Sequence, residues 1–350
     1  MLPPGEHTIE IADRVVGVIG DGGPAAHTID GLPAATALDI VVDGHRAATM
    51  RTLRPPAGRE LCRFATVGDI HIGDGWTFGI LPTVRDPGGA EDPPAPRALS
   101  AAVRELTAWG AQQLVVKGDV THHGRAGEWH TAAEILTGTG LPVVATVGNH
   151  DVCAGAVDGR PAMHAAGAEL AVEGIVVRDL PGVRLLVADV SRPRRHTGSY
   201  RHVRGAVLEA ATAAEGAVVL AQHHQLMRLP VPNHWPPGVM APESARFLRA
   251  LAEANPATLL TTGHTHRYRA RRVGPLLLTE VGSTKDHPGA WAGYVVHEGG
   301  IRQVVRRIEE PGVLRWTEAT RQALFGIWGR WSPGRLGDRC RTHDWPARAG

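Results

Sequence analysis

The chain has few cysteines: three in 350 residues, Cys62, Cys153 and Cys340, far apart and with no metal-ligand pairing among them. An odd, scattered set argues against a disulfide framework and fits a reducing compartment. Long apolar runs are missing too, since no stretch reaches the roughly 18 residues that span a bilayer. The opening MLPPGEHTIEIADR has no positive region ahead of an apolar one, so no secretory signal is read there and a cytoplasmic location is expected. Nor does charge of one sign dominate. Lys plus Arg (37) nearly balances Asp plus Glu (35), and no basic stripe precedes the C-terminal tail. That leaves no footprint of a dedicated nucleic-acid binder, and no nucleic-acid partner is expected. Internal repeats and long low-complexity segments are absent. What is there is 43% hydrophobic residues, ample for a core, and 19 histidines whose placement carries the argument.

The chain divides into three parts. Residues 1–58 carry short apolar runs (Thr8 to Ile11, Val15 to Ile19, Leu38 to Val42) between Gly, Pro and Asp-Gly turns. Asp43-Gly44 after LDIVV predicts a hairpin, and the part reads as a small β-rich module. PPAGRE links it to residues 59–308, where the rhythm changes. RFATVGDI, LVVKGD, PVVATVGNHD, VRLLVADV, AVVLAQHH, ATLLTTGHTH and LLLTEVG read as strands, followed by a hairpin from YVVHE to IRQVVRRI. Helices fall between them. One opens at Pro96 with an apolar stripe at Leu99, Ala102, Val103 and Leu106; others are AGEWHTAAEIL and Glu243 to Ala254. Alternating strands and helices imply an α/β core. Residues 309–350 form an Arg- and Trp-rich extension, with Trp316, Ala323, Leu324, Ile327 and Trp331 on one helical face.

Sheets of this class present ligands and catalysts from the carboxyl ends of their strands. Here those ends carry Asp69 and His71, Asp119, Asn149 with His150 and Asp151, His223 with His224, and His264 with His266. Carboxylate and imidazole suit Mn, Fe or Zn. Asp69 and His71 are two apart, which in a regular strand places them on one side, and so are His264 and His266. A single ion does not need so many donors; two ions sharing a carboxylate do. Such a site is net positive and suits an anion. Gly68, Gly118, Gly148 and Gly263 each precede a candidate ligand, where the chain must crowd an ion.

The blocks GDIH, GDVTHHG, GNHD, QHH and GHTH, in that order over residues 68–266, resemble the calcineurin-like metallophosphoesterase superfamily. The resemblance does not reach residues 1–58 or 311–350. It implies a four-layer α/β/β/α sandwich and two transition-metal ions. Carried over by position, it implies that Asp69, His71 and His266 bind one ion, that Asn149, His223 and His264 bind the other, and that Asp119 bridges them. It makes His150 the non-ligand histidine facing the leaving group, with Asp151 either orienting it or structuring the turn. Gln225 stands where the family often has Pro, which leaves His224 a rival to His223; His223 is preferred. His122 and His123 occupy variable positions of the second block and are candidate substrate contacts, although an ordinary exposed loop accounts for them as well.

The expected activity is hydrolysis of a small-molecule phosphate ester, a phosphodiester first, by a hydroxide bridging the metals. A phosphomonoesterase or phosphoprotein phosphatase is the alternative, and a protein-binding scaffold of the same fold ranks last because the ligand set is complete. Cys153 reads as a small buried filler and Asp74 and Trp76 as loop packing, while His234, which has no evident partner, sits with Trp235 in a Pro-rich loop where a lid could form. His202 and His287 have no evident partner. Substrate identity and oligomeric state have no readable code here.

Overall fold

Unbroken apolar strand segments predict a sheet covered on both faces. A computed structural model of the chain describes residues 9–10, 28–29, 32–42, 44–75, 77–79, 83–86, 89, 91–138, 140–231 and 236–346. Its elements run β1 (Ile9–Glu10), β2 (Thr28–Ile29), β3 (Ala37–Val42), β4 (His45–Arg51), β5 (Glu60–Val67), β6 (Thr77–Phe78), β7 (Val84–Arg85), α1 (Pro94–Ala108), β8 (Leu114–Lys117), α2 (Ala126–Thr137), β9 (Val143–Thr146), α3 (Arg160–Ala165), β10 (Ala168–Ala171), β11 (Ile175–Leu180), β12 (Val183–Ala188), α4 (Arg204–Thr212), β13 (Ala217–Gln222), α5 (Ala241–Ala254), β14 (Thr258–Thr262), β15 (Arg269–Val273), β16 (Leu276–Glu280), β17 (Ala290–His297), β18 (Gly300–Arg307), α6 (Pro311–Arg321), α7 (Ile327–Trp331), α8 (Leu336–Arg339) and β19 (Arg341–Asp344).

Two sheets dominate. One has the order β10-β9-β8-β5-β17-β18-β19, the other β11-β12-β13-β14-β16-β15. The first is parallel from β10 to β5 and antiparallel from β5 to β19; the second is parallel from β12 to β16 and antiparallel at both edges. Strand side chains alternate with period two and so fill three apolar layers. Ala65 and Val67 face α1 and α2, where Leu99, Leu106 and Trp129 close one core. Cys62 and Phe64 face the other sheet and meet Leu185, Val187, Val219 and Ala221. Leu186, Val218 and Leu220 point outward again onto Phe247 and Leu251 of α5. The result is the expected helix–sheet–sheet–helix stack. Phe64 and Tyr294, opposite each other on β5 and β17, stack in its middle at 4.6 Å, worth about 0.5–1.5 kcal/mol beyond burial.

Some boundaries differ from the sequence reading. Helix α1 begins at Pro94 rather than Pro96, and α5 at Ala241 rather than Glu243. In both, a proline sits in the first turn, where its missing N–H costs nothing. The β3–β4 hairpin forms as expected, with Gly44 at φ +79°, while Asp43 lies outside the described residues. So do Val15 to Ile19, Trp76, and the His234 and Trp235 of the expected lid. The tail is not one continuous amphipathic helix. Leu324, Phe325 and Gly326 are left-handed and break it between α6 and α7. Trp316 and Ala323 are buried, whereas Ile327 is 61% exposed. The chain then adds β19 to the edge of the seven-stranded sheet. Among the described residues, no helix is long and apolar enough to cross a membrane.

Candidate metal centre

The strands stop short of the residues that matter. β5 ends at Val67 and β14 at Thr262, so the period-two argument for Asp69 with His71, and for His264 with His266, does not apply. These four residues and Asp119 lie past the strand ends with φ between +47° and +74°. Left-handed backbone costs an L-residue about 1–2 kcal/mol. Hydrogen bonds hold it in place. The Ile70 and His71 amides both donate to the Asp119 carbonyl, at 2.8 and 2.9 Å. The His264 amide donates to both oxygens of Asp69, at 2.9 and 3.1 Å. The glycines divide in use. A Cβ on Gly148 would stand 2.1 Å from Asp119 Oδ1, and one on Gly263 would stand 2.5 Å from Asp69 Oδ2. Gly118 has φ +77° and would meet His223, but Gly68 would only touch Lys117 at 3.3 Å.

Two carboxylate-containing groups of donors result, beside a third of histidines alone, His71, His122 and His150. Asp69, His71 and His266 form one, and Asp119, His223 and His264 the other, with ligand atoms in each group within 4.8 Å of one another. Three of the histidines spend one ring nitrogen on an outer partner. His223 Nδ1 donates to the Lys117 carbonyl (2.9 Å), His264 Nε2 to the Pro237 carbonyl (3.2 Å), and His266 Nδ1 to Asp286 Oδ2 (2.6 Å). That fixes which nitrogen faces the cluster, the arrangement expected of metal-binding imidazoles. The inward nitrogens then face each other, His264 Nδ1 to His223 Nε2 at 3.1 Å and His71 Nε2 to His266 Nε2 at 3.2 Å. Two lone pairs at that distance need a proton or a cation between them. Imidazole nitrogen and carboxylate oxygen fit divalent transition metals.

Electrostatics separate the members of each pair. Burial opposes protonation of His223, but Asp119 and Asp69 raise it to about 9. Burial likewise opposes His266, but Asp286 and Asp69 raise it to about 9. Burial holds His71 and His264 well below the ordinary imidazole range. Asp119, though buried, is held well below its usual value by His223 and His71.

Asn149 joins the second group, its Oδ1 lying 3.3 Å from His223 Nε2. His223 Nε2 lies 3.2 Å from Asp119 Oδ2. His224 is fully buried, and neither of its ring nitrogens has a hydrogen-bond partner among the described residues. His150 donates Nδ1–H to the His122 carbonyl at 2.9 Å, and its amide donates to Asp119 Oδ1. Asp151 faces elsewhere. Its carboxylate accepts from the amides of Val120, Thr121 and Gly148 and from the Thr121 hydroxyl, so its contacts serve the turn rather than His150.

A cavity of about 340 Å³ opens over both groups. His71, Asp119, His122, Asn149, His150, His264 and His266 line it. His122 lies 5.1 Å, ring to ring, from His150. His123 does not share this wall: it is exposed, and its ring lies beside Glu128. Cys153 is half-exposed rather than buried, with its thiol on the His123 carbonyl. Asp74 does edge the cavity, ion-paired to Lys285.

Sequence reasoning missed Lys285, Asp286, His196, Phe78 and Trp328, all at or next to the cavity. For two of them a signal existed. β16 pairs with β14 in parallel and ends at Glu280, so the segment VGSTKDH after it had to reach the same rim. Trp328 had no such signal, because the tail arrives through packing.

The sequence profile of the calcineurin-like phosphoesterases matches residues 62–268. No curated protein sequence matches the chain significantly. Among solved structures, a purple acid phosphatase from yellow lupin seeds is similar at TM-score 0.50, 13% identical, covering 87% of this chain and 64% of that one. A dimetal phosphatase of Danio rerio is 13% identical at TM-score 0.49, covering 71% and 97%. The GAP50 anchor of the inner membrane complex of Plasmodium is 11% identical at TM-score 0.45, covering 73% and 87%. At such identities the likeness to the lupin enzyme is one of fold. The profile match spans more than half of the chain and takes in all five strand-end blocks, which makes the chain a member of the calcineurin-like phosphoesterase family.

Proposed function

We propose that this protein is a dinuclear metal-dependent phosphodiesterase. Its family is one of metal-dependent phosphoester hydrolases, and the observation that carries the reading is the pair of donor groups under one cavity with His150 on its wall. Asp69, His71 and His266 would hold one ion, Asn149, His223 and His264 the other, and Asp119 would serve both. Mn, Fe or Zn suits these donors. Bound ions of this kind acidify a water and neutralise charge on phosphoryl oxygens.

The remaining steps belong to the protein. Since Nδ1 of His150 is committed to the His122 carbonyl, Nε2 is the nitrogen placed to carry a proton toward the substrate. In its protonated form His150 gives that proton to the departing ester oxygen. His122, on the same wall, stays neutral because burial and the neighbouring His150 push it down to about 4. It contacts substrate as a neutral imidazole. Lys285 supplies a cation at the rim, partly neutralised by Asp74. Phe78, Pro236 and Trp328 give the cavity an apolar side, which accommodates the second ester group of a diester. A small-molecule ester fits a cavity of this size, near the lower end of ligand pockets.

The test is to measure bound metals and to assay a chromogenic phosphodiester and monoester side by side. Each is run as isolated, after chelation, and after Mn²⁺ is restored. Diester activity lost on chelation and regained with Mn²⁺ is expected. Monoester preference would replace the diester reading with a phosphatase. Inactivity on both, with fewer than two ions bound, would end the enzyme reading.

A further inference from the structure

The tail 311–346 lies outside the family match, yet it reaches the metal centre. Asp286 is fully buried and uses both carboxylate oxygens. Oδ2 accepts from His266 Nδ1 at 2.6 Å, and Oδ1 accepts from the Trp328 indole N–H at 3.2 Å. The Trp328 ring lies 6.2 Å from the His266 ring and forms part of the cavity wall. It is fixed by Phe78 at 5.4 Å and by Trp331 at 5.3 Å. Trp331 in turn lies under the guanidinium of Arg267, the residue next to His266.

The tail also fastens both segments that carry this pair. On one side, the Tyr268 amide donates to the Ser332 carbonyl at 2.9 Å and the Ala270 amide to Asp338 Oδ1 at 3.0 Å. On the other, the His287 amide donates to Thr320 Oγ1 at 2.9 Å, and the Ser332 hydroxyl donates to the His287 carbonyl. His266 and Asp286 are thus held from behind by residues more than 30 positions further along the chain.

We infer that the C-terminal tail is a working part of the metal centre, and that Trp328 is a positioning residue acting through Asp286 on His266. A carboxylate that accepts only at Oδ2 can rotate about its Cβ–Cγ bond. Beside the Ser283 hydroxyl, which also lies against this carboxylate, the indole N–H at Oδ1 limits that freedom, so the His266 ring keeps Nε2 aimed at Asp69 and His71. This rests on the reading of Asp69, His71 and His266 as ligands of one ion.

The experiment is a double-mutant cycle on the full chain, read as Mn²⁺ stoichiometry and affinity by calorimetry. Wild type is expected to bind two ions. Asp286→Asn weakens one site about 10–100-fold, the usual effect of losing an outer partner of a ligand. Trp328→Phe keeps an aromatic ring, loses the N–H together with part of the indole's volume, and weakens the same site about tenfold on that same scale. The double variant matches Asp286→Asn alone, because the indole acts through the carboxylate. Trp328→Phe binding both ions as wild type does would overturn the inference. So would losses that multiply in the double variant, since they would show a tail that merely supports the fold. A wild type that binds fewer than two ions would instead remove the metallohydrolase reading on which this one stands.

Discussion

The ring of His150 is anchored by its own neighbour in space: Nδ1 donates to the carbonyl of His122, 28 residues earlier in the chain, at 2.9 Å. That bond sets the ring, which belongs with His71 and His122 to the all-histidine donor group and to neither group that contains a carboxylate. His150→Ala is therefore expected to lower kcat by about 10²–10⁴ with two metals still bound. Metal content measured beside kcat decides the point. If both fell together, His150 would be a ligand and not the acid.

Gly263 faces Asp69 so closely that a methyl group has nowhere to go. Gly263→Ala pushes on Oδ2 of Asp69, with an overpacking cost of about 1–3 kcal/mol, and should lower occupancy of the site that Asp69 serves. Gly68→Ala meets Lys117 Cβ at 3.3 Å and should cost far less. Denaturation midpoints and metal counts of the two variants give the contrast. Equal effects would mean that the crowding at Asp69 does not govern metal binding.

Asp151 holds three backbone amides, those of Val120, Thr121 and Gly148. Asp151→Ala leaves them buried and unpaired, at about 1–3 kcal/mol each. The variant should unfold at markedly lower denaturant, and any activity it keeps should need the same metals. Wild-type stability in Asp151→Ala would contradict the role given to this turn.

Lys285 gives the pH dependence. Burial pushes its ammonium down to about 8, against the pull of Asp286 and Asp69. It is charged below that pH and neutral above it. Because the unfolded chain binds this proton up to its ordinary value of 10.5, the group's contribution to stability rises with pH between about 8 and 10.5. Substrate attraction runs the other way. For an anionic ester, kcat/KM should decline above about pH 8, and Lys285→Met should remove that decline while lowering the plateau. A decline that survives in Lys285→Met has another source.

Much of this centre was readable from the sequence, because strand ends in an α/β fold collect their ligands in chain order. Asp69, Asp119, Asn149, His223, His264 and His266 all reach one rim for that reason. The local geometry was not readable. Regular strand alternation had to be abandoned for Asp69 and His71, since the chain turns left-handed just beyond β5. The choice between His223 and His224 also needed coordinates, as two adjacent histidines differ only in which way the chain exits β13. Trp328 lay furthest from reach. It sits 42 residues from Asp286, in a tail whose apolar stripe from Trp316 to Trp331 suggested a single helix but is divided between α6 and α7, broken by Leu324 and Phe325.

Both donor groups draw on both sheets. Asp69 and His71 leave the seven-stranded sheet and meet His266 from the six-stranded one; Asp119 leaves the first and meets His223 and His264 from the second. Mechanically, each ion would act as a rivet through the sandwich. Sliding one sheet against the other would tear ligands from the metal before it parted the apolar layer between them. Removing the ions should then loosen the join between the two halves, so the metal-free protein should unfold at lower denaturant than the loaded one.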